Sequence, residues 1–262
     1  MLKILQERLV LLLKRFHDFC VKHNLRYYVV GGTCLGAVRH EGFIPWDDDI
    51  DVGMPRKDYN RLLELVKEEK IGENCIVEAP LENKDYIYAF AKMYDTTTTL
   101  VENTVNKLIR GVYIDIFPLD GCGDSISEVE KHFKKIDIQV NILRAKVCAI
   151  NKKRKFYKNF IIALFRLLPI SKRKIVSRII RLSEGKDFDQ CIYVGNFVGG
   201  WHFKEVVKRE WFGEPKLYKF EDIQVYGPNN ADAYLSNVYG DYMKLPPRGK
   251  EIFSSRFHSF GF

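Results

Sequence analysis

The sequence predicts an α+β chain with α/β-like alternation: a mixed sheet core, flanking helices and a helical insertion or extension. Three observations carry that prediction. Segments with the two-residue apolar period of strands alternate with segments of helical period up to about residue 120. The glycine pair Gly31-Gly32 directly follows the apolar run Tyr27-Tyr28-Val29-Val30, as at the exit of a buried strand. From 152 to 186 the character changes, and basic clusters surround a short apolar run.

Leu2, Leu5, Leu9, Leu12, Leu13, Phe16, Phe19 and Cys20 recur at helical spacing, so an amphipathic helix is expected from the start to near Asn24. Arg26 to Val30 reads as a strand. Thr33 to His40 reads as a short helix whose N-terminus faces the glycine turn, a natural place for phosphate. A second strand is expected over Asp49 to Met54. A helix is expected over Arg56 to Glu69, with Tyr59, Leu62, Leu63, Leu65 and Val66 on its apolar face. Cys75 to Glu78, Tyr86 to Tyr94 and Gly111 to Phe117 read as further strands. A loop from Pro118 to Ser125 then opens a helical stretch through about Ile150. The part from Lys152 to Lys186 holds Lys152-Lys153-Arg154-Lys155, Lys158, Arg166, Lys172-Arg173-Lys174, Arg178 and Arg181, with Glu184 as its sole acid. Its apolar run, Phe160 to Leu168, is too short to span a bilayer. It suits an interfacial helix with basic flanks, or an ordinary helix packed on the core with its lysines solvated. The expected organisation is a catalytic core over 1–125, a basic helical segment over 126–190, and a C-terminal part over 191–262 that packs on the core.

At 262 residues, with 46% apolar and 13% aromatic residues, the chain is long and apolar enough for a sizeable core and is not a disordered sequence. The formal net charge of +8 favours anionic partners such as nucleotides, phosphorylated glycans or acidic lipid headgroups. Nucleic acid is set aside, because no recognisable nucleic-acid module accompanies the charge. Six cysteines without a Cys-x-x-Cys spacing argue against a local zinc knuckle and for free thiols in a reducing compartment. The early charges at Lys3, Glu7 and Arg8 and the lack of a small-residue cleavage site argue against a signal peptide. A cytoplasmic protein is expected, with peripheral contact to the inner face of an anionic membrane through 152–186.

The densest chemistry lies between Gly31 and Asp51. Asp47, Asp48, Asp49 and Asp51 fall within five positions, flanked by Ile44-Pro45-Trp46 and by Ile50, Val52 and Met54. Bulky apolar flanks are unnecessary for a solvated acidic turn. The alternation Asp49-Ile50-Asp51-Val52 puts both carboxylates on one strand face and the apolar residues on the other. Two oxygen ligands on a strand face make a platform for Mg²⁺, which pairs one or two carboxylates with substrate phosphates. The Gly31-Gly32 turn lets backbone N–H groups approach phosphate where a side chain would block them.

This segment resembles the signature of the LicD family, which includes bacterial phosphocholine transferases and is related to fukutin-type ribitol-phosphate transferases. The resemblance continues through Phe90-Ala91-Lys92 and the run Gly111-Val112-Tyr113-Ile114-Asp115-Ile116-Phe117-Pro118-Leu119-Asp120. It closes with Phe220-Glu221, Tyr239-Gly240-Asp241-Tyr242-Met243 and Pro246-Pro247, so that it covers residues 10 to 247 and is least diagnostic over 125–190. It implies a nucleotidyltransferase-like core: a glycine turn after the first strand, an Asp-x-Asp pair on the second and a third carboxylate on a later strand. The implied reaction moves a substituted phosphoryl group, above all phosphocholine from CDP-choline, to a hydroxyl of a lipid-linked glycan such as a teichoic acid, lipopolysaccharide or capsule precursor. On this resemblance Asp49 and Asp51 are Mg²⁺ ligands, with Mn²⁺ as a substitute, and Asp115 is the third carboxylate, as ligand or general base. Gly31, Gly32 and Thr33 hold donor phosphate, Arg39 grips it with its guanidinium, and Lys92 faces it. Asp47 is an outer-shell residue, Asp48 is left out, His40 is read as structural, and the Tyr239-Gly240 and Pro246-Pro247 segment is read as closing the core.

Three other functions fit parts of the pattern. One is a nucleotidyltransferase moving NMP from an NTP, which the long Arg39-to-Trp46 insert disfavours. Another is transfer of ribitol or glycerol phosphate from a CDP-alcohol. The last is a non-catalytic membrane scaffold, which the joint presence of Asp49, Asp51 and Asp115 disfavours.

Overall fold

The computed structural model describes residues 1–102, 109–147, 156–167, 169–246 and 257–261. Helix α1 (Leu2–Lys22) buries Leu5, Leu9, Leu12, Leu13, Phe16, Phe19 and Cys20, the face that the apolar period marks out. The short strand β1 (Tyr28–Val29) leads into α2 (Gly31–His40), and β2 (Asp51–Pro55) runs directly into α3 (Arg56–Glu68). Strands β3 (Cys75–Glu78), β4 (Ala91–Glu102) and β5 (Ile109–Gly123) follow, then helices α4 (Ile126–Val147), α5 (Phe156–Leu167) and α6 (Lys172–Ser183). The C-terminal part holds β6 (Tyr193–Gly195), β7 (Val206–Lys208), α7 (Arg209–Phe212), the hairpin β8 (Lys216–Phe220) and β9 (Ile223–Gly227), α8 (Ala231–Tyr239) and β10 (Phe257–Gly261).

Among the described residues one eight-stranded mixed sheet carries the fold. Its main path runs β1-β2-β5-β4-β10, with β3 added on β4, and β6 and β7 added beyond the far end of β5. The pairing of β2 with β5 is parallel and the others are antiparallel. Helix α1 packs on β4 and β5, and α3 on β2 and β5. Most buried apolar side chains form one cluster around this sheet. A smaller cluster joins α4, α6 and the Phe197 region. The mixed sheet with flanking helices is the predicted class.

Several boundaries differ from expectation, each for a tertiary reason. Strand β1 is shorter, because Arg26 is drawn aside to Asp58 and Asp189, with Nη1 and Nη2 donating to the two Asp189 oxygens at 2.7 and 2.8 Å. Strand β4 begins at Ala91 rather than Tyr86, and the Tyr86 hydroxyl donates to the Phe90 carbonyl at 2.6 Å. Strand β5 runs on through the expected 118–125 loop to Gly123, because Asp120 and Gly121 pair with Gly195 and Val194 of β6. Helix α2 starts at Gly31 instead of Thr33, and β2 starts at Asp51 instead of Asp49. The ladder nonetheless reaches back one residue, since the Asp115 N–H donates to the Ile50 carbonyl at 2.9 Å.

The basic region divides into one helix with a buried apolar face and one with exposed apolar side chains. Helix α6 buries Ile175, Val176 and Ile179 against α4, while Arg173, Lys174, Arg178 and Arg181 stay exposed. Helix α5 instead exposes Phe160, Leu164 and Leu167. Lys152 to Lys155 and Pro247 lie outside the described residues. Cys20, Cys34, Cys75, Cys122 and Cys191 are free thiols, and Cys148 lies outside the described residues.

The junction of α3 with β5 rests on a buried ion pair. Arg56 Nε and Nη2 each donate at 2.7 Å to the two oxygens of Asp120, which is 1% exposed. Breaking such a pair from one side leaves an uncompensated buried charge. Arg56→Met is expected to cost about 3 kcal/mol in denaturant unfolding. The double variant Arg56→Met with Asp120→Asn should recover part of that loss.

Candidate active site

Two strand registers assemble the polar centre. The parallel pairing of β2 with β5 sets Asp51 beside Asp115, and the antiparallel pairing of β4 with β5 sets Lys92 on the other side of Asp115. Lys92 Nζ donates to Asp115 Oδ1 at 2.5 Å, and both residues are buried. Rings wall the ammonium in, Tyr113 at 3.3 Å and Tyr88 at 4.5 Å to their centroids. Lys92 therefore does not face substrate phosphate, as the sequence suggested. It neutralises Asp115, because a carboxylate 2% exposed needs a paired cation.

The acidic run folds into a tight cluster. Asp47, Asp48 and Asp49 each bring a carboxylate oxygen within 4.8 Å of the others, so Asp48, which sequence reasoning left out, belongs to the group. A turn at Pro45-Trp46 makes this possible, closed by the Asp47 N–H donating to the Ile44 carbonyl at 2.8 Å. Gln6 of α1 holds the Asp47 carbonyl from outside at 2.9 Å.

The two glycines seat these carboxylates on the start of α2. A Cβ on Gly32 would lie 2.9 Å from Asp47 Oδ2, and one on Gly31 would lie 3.4 Å from Asp51 Oδ2. Gly31 also has φ +55°, the left-handed region that favours glycine. Two expected phosphate contacts are taken up inside the fold. The Gly31 N–H donates to the Tyr234 hydroxyl at 3.0 Å, and the Thr33 hydroxyl, buried, accepts the Asp51 N–H at 2.9 Å. Thr33 thus fixes the height of the Asp51 strand against α2, and Gly32 is the member of the trio that lines open space.

That space is a cleft of about 360 Å³. Asp47, Asp49 and Asp51 form its acidic wall, and Gly32 and Arg39 form its α2 side. Arg39 Nη1 donates to the Tyr242 carbonyl at 2.5 Å and Nε donates to His40 Nε2 at 3.0 Å, which fixes the guanidinium along the wall. His40 is thereby an acceptor and structural, and burial followed by the Arg39 charge lowers its pKa. Asp115 and Lys92 lie behind the cleft rather than on its surface. A larger groove of about 850 Å³, between α1 and the Phe43–Pro45 segment, holds none of the predicted site residues.

The opposite wall comes from the far end of the chain and was misread as core closure. Trp201, Tyr239, Asp241, Tyr242, Lys244 and Pro246 line the cleft. Burial, and then Asp51 and Asp47, push the Tyr239 phenol up, so it remains protonated beside the acidic wall. The Tyr-Gly-Asp-Tyr motif was visible in the sequence, but nothing local says that it folds back onto α2. Glu205 was missed entirely. It is 7% exposed, accepts the Trp201 N–H at 2.8 Å, and is pushed up to about 7 by burial, against the lowering influence of that bond, Asn196 and Arg144.

The carboxylate cluster suits a hard divalent cation. It offers only oxygen donors from a rigid backbone, and the glycine cradle leaves room that a Cβ would fill.

Residues 24–162 match the family described as LicD/FKTN/FKRP, nucleotidyltransferase domain. The chain is 30% identical over 259 residues to the lipopolysaccharide cholinephosphotransferase LicD of Haemophilus influenzae, covering 94% of this chain and 93% of that protein. A shorter likeness, 42% over 62 residues, links it to the uncharacterised protein RP689 of Rickettsia prowazekii, covering 23% of each chain. It is 43% identical over 42 residues to human ribitol 5-phosphate transferase FKRP, covering 16% of this chain and 8% of that one.

Glu205 gives a stability test. Its folded pKa of about 7 lies above the ordinary glutamate value of 4.5, so between these values the native state binds more protons than the unfolded state. Stability is then full below about pH 4.5 and declines as pH rises through 7, by an order of 3 kcal/mol at complete ionisation. Glu205→Gln removes this decline. The melting temperature of the variant relative to wild type should rise from pH 5 to about pH 7 and level off above it.

Proposed function

Because the chain belongs to the LicD family, we propose that this LicD-type phosphotransferase moves phosphocholine from CDP-choline to a hydroxyl of a cell-surface glycan precursor, with Mg²⁺ at the acidic wall. The observation that carries this reading is the carboxylate cluster seated on Gly31-Gly32, opening on a cleft that also holds Arg39. Choline is preferred to ribitol as the alcohol because the likeness to the cholinephosphotransferase spans nearly the whole chain, and that to the ribitol 5-phosphate transferase spans 42 residues.

Asp49 and Asp51 would hold the metal, with Asp47 and Asp48 beside them and Asp115 as the third carboxylate of the sheet. Bound there, Mg²⁺ supplies charge neutralisation for the donor pyrophosphate and for the departing CMP. The chain's own residues orient the donor. Arg39 and Lys244 are the cationic side chains of the cleft, and Gly32 lets phosphate approach the start of α2. The acceptor hydroxyl oxygen bonds to the choline-bearing phosphorus, the bond from that phosphorus to the CMP oxygen breaks, and the hydroxyl proton passes to a wall carboxylate. The aromatic wall excludes water that would otherwise compete with the acceptor.

Among the described residues no helix is long and apolar enough to cross a membrane. The exposed apolar side chains of α5, Phe160, Leu164 and Leu167, recur at helical spacing, and the exposed Arg173, Lys174, Arg178 and Arg181 of α6 follow within the next few turns of sequence. That pairing suits peripheral contact with anionic lipid, where a lipid-linked acceptor would reside.

Two experiments test the reading. Asp49→Asn and Asp51→Asn should each lower CMP release from CDP-choline by at least about 100-fold, while the metal-free melting temperature holds or rises as repulsion falls. Full activity in either variant contradicts the metal assignment, and pyrophosphate release from CTP or ATP would favour NMP transfer instead. In co-sedimentation, the protein should bind anionic but not neutral vesicles, and binding should collapse at 1 M salt, where the Debye length is about 3 Å. Equal recovery with both lipids would assign α5 and α6 no membrane role.

A further inference from the structure

The acidic and cationic side chains of the cleft account for phosphate. They leave the cleft's aromatic wall with no role beyond excluding water. Trp201 and Tyr239 meet there edge to face, with ring centroids 4.7 Å apart and planes at 73°. Trp201 is 42% exposed, unusual for a tryptophan held in a defined position.

The loop that carries Trp201 is built to hold it out. The Trp201 N–H is tied to the buried Glu205 carboxylate at 2.8 Å, and the Asn196 side chain accepts the N–H groups of Val198 and Gly199 at 3.0 and 3.1 Å. A Cβ at Gly199 would collide with that same Glu205 carboxylate, so the loop closes tightly over it. The next residue, His202, adopts φ +54°, a left-handed conformation that a side chain disfavours. Tyr239 spans the cleft from this corner to the acidic wall: its hydroxyl lies 3.9 Å from the Cβ position of Gly31, beside the Asp51 carboxylate.

We propose that the Trp201–Tyr239 corner, with Asp241 beside it, is the seat of the donor's quaternary ammonium, and so sets the choice of alcohol. The inference rests on the CDP-choline reading above. Two π-faces near a right angle surround a tetrahedral cation, whereas a flat base stacks on one face or between parallel ones. The corner stands one tyrosine length from the acidic wall, so a short linker joins a phosphate at the wall to an ammonium in the corner. Asp241 adds a negative charge at the cleft surface, where Mg²⁺ at the wall would not neutralise it.

Titration calorimetry in Mg²⁺ buffer tests this with three ligands: CDP-choline, CMP, and the CDP ester of 3,3-dimethylbutanol, which has the shape of choline without its charge. Wild-type protein should prefer CDP-choline to the neutral ester by roughly 5- to 30-fold. Trp201→Leu should erase that preference and leave CMP affinity unchanged, and Trp201→Phe should keep part of it. Equal loss of CMP and CDP-choline affinity in Trp201→Leu would assign the rings to the cytosine and overturn the proposal. So would unchanged affinity for all three ligands. Wild-type protein that binds CDP-ribitol or CDP-glycerol more tightly than CDP-choline overturns the donor reading itself, a result visible before any variant is made.

Discussion

Five carboxylates, Asp47, Asp48, Asp49, Asp51 and Asp115, are gathered at one end of a single sheet, and the fold depends on making that tolerable. Like charges at such spacing repel by several kcal/mol in a medium of low dielectric. The protein answers in two ways. Asp115, the deepest, is neutralised by Lys92 across one strand pair. Asp47, Asp49 and Asp51 line a cleft, where solvent or a cation can offset them. The parallel pairing of β2 with β5 ties the two solutions together, because it puts Asp51 of the open group beside Asp115 of the closed one.

The same arrangement explains why a basic chain has an acidic site. A net charge of +8 raises the local concentration of anionic donors, but a pyrophosphate cannot rest against bare carboxylates. In the proposed reading a divalent cation would resolve that conflict, and the carboxylates beside the two glycines would supply its oxygen donors. The second wall comes from residues 201–246, at least 150 residues beyond the acidic run, and it sets aromatic rings beside the charges of Asp241 and Lys244. The cleft therefore has an acidic pole and an aromatic pole.

What the sequence revealed and what it hid divide along one line. Helix α1 and strand β3 were legible because their apolar period is local, and so was the glycine turn ahead of the acidic run. The aspartates and Arg39 were legible through a long motif whose spacing is itself the signal, and the structure puts Asp47, Asp49, Asp51 and Arg39 on one cleft. Lys92 was misjudged because its role depends on a register partner 23 positions away, which no period encodes. Strand β5 was cut short at the expected loop from Pro118 to Ser125, because Pro118 pairs with Met54 of β2 and the residues after it pair with β6, partners that no local pattern announces. Thr33 was assigned to ligand because a hydroxyl after two glycines looks like a phosphate contact, yet the fold uses it to hold Asp51. Trp201, Tyr239 and Glu205 were beyond reach for the same reason: their meaning comes from a loop folding back over the start of α2.

The central claim is that the carboxylates on Gly31-Gly32 hold a divalent cation. Crystals grown with Mn²⁺ and CDP-choline, measured at the manganese absorption edge, test it most directly. The account predicts an anomalous peak about 2.1–2.3 Å from oxygens of Asp49 and Asp51, with donor phosphate on its open side. Anomalous density elsewhere on the protein, with none between these two carboxylates while donor occupies the cleft, would contradict it.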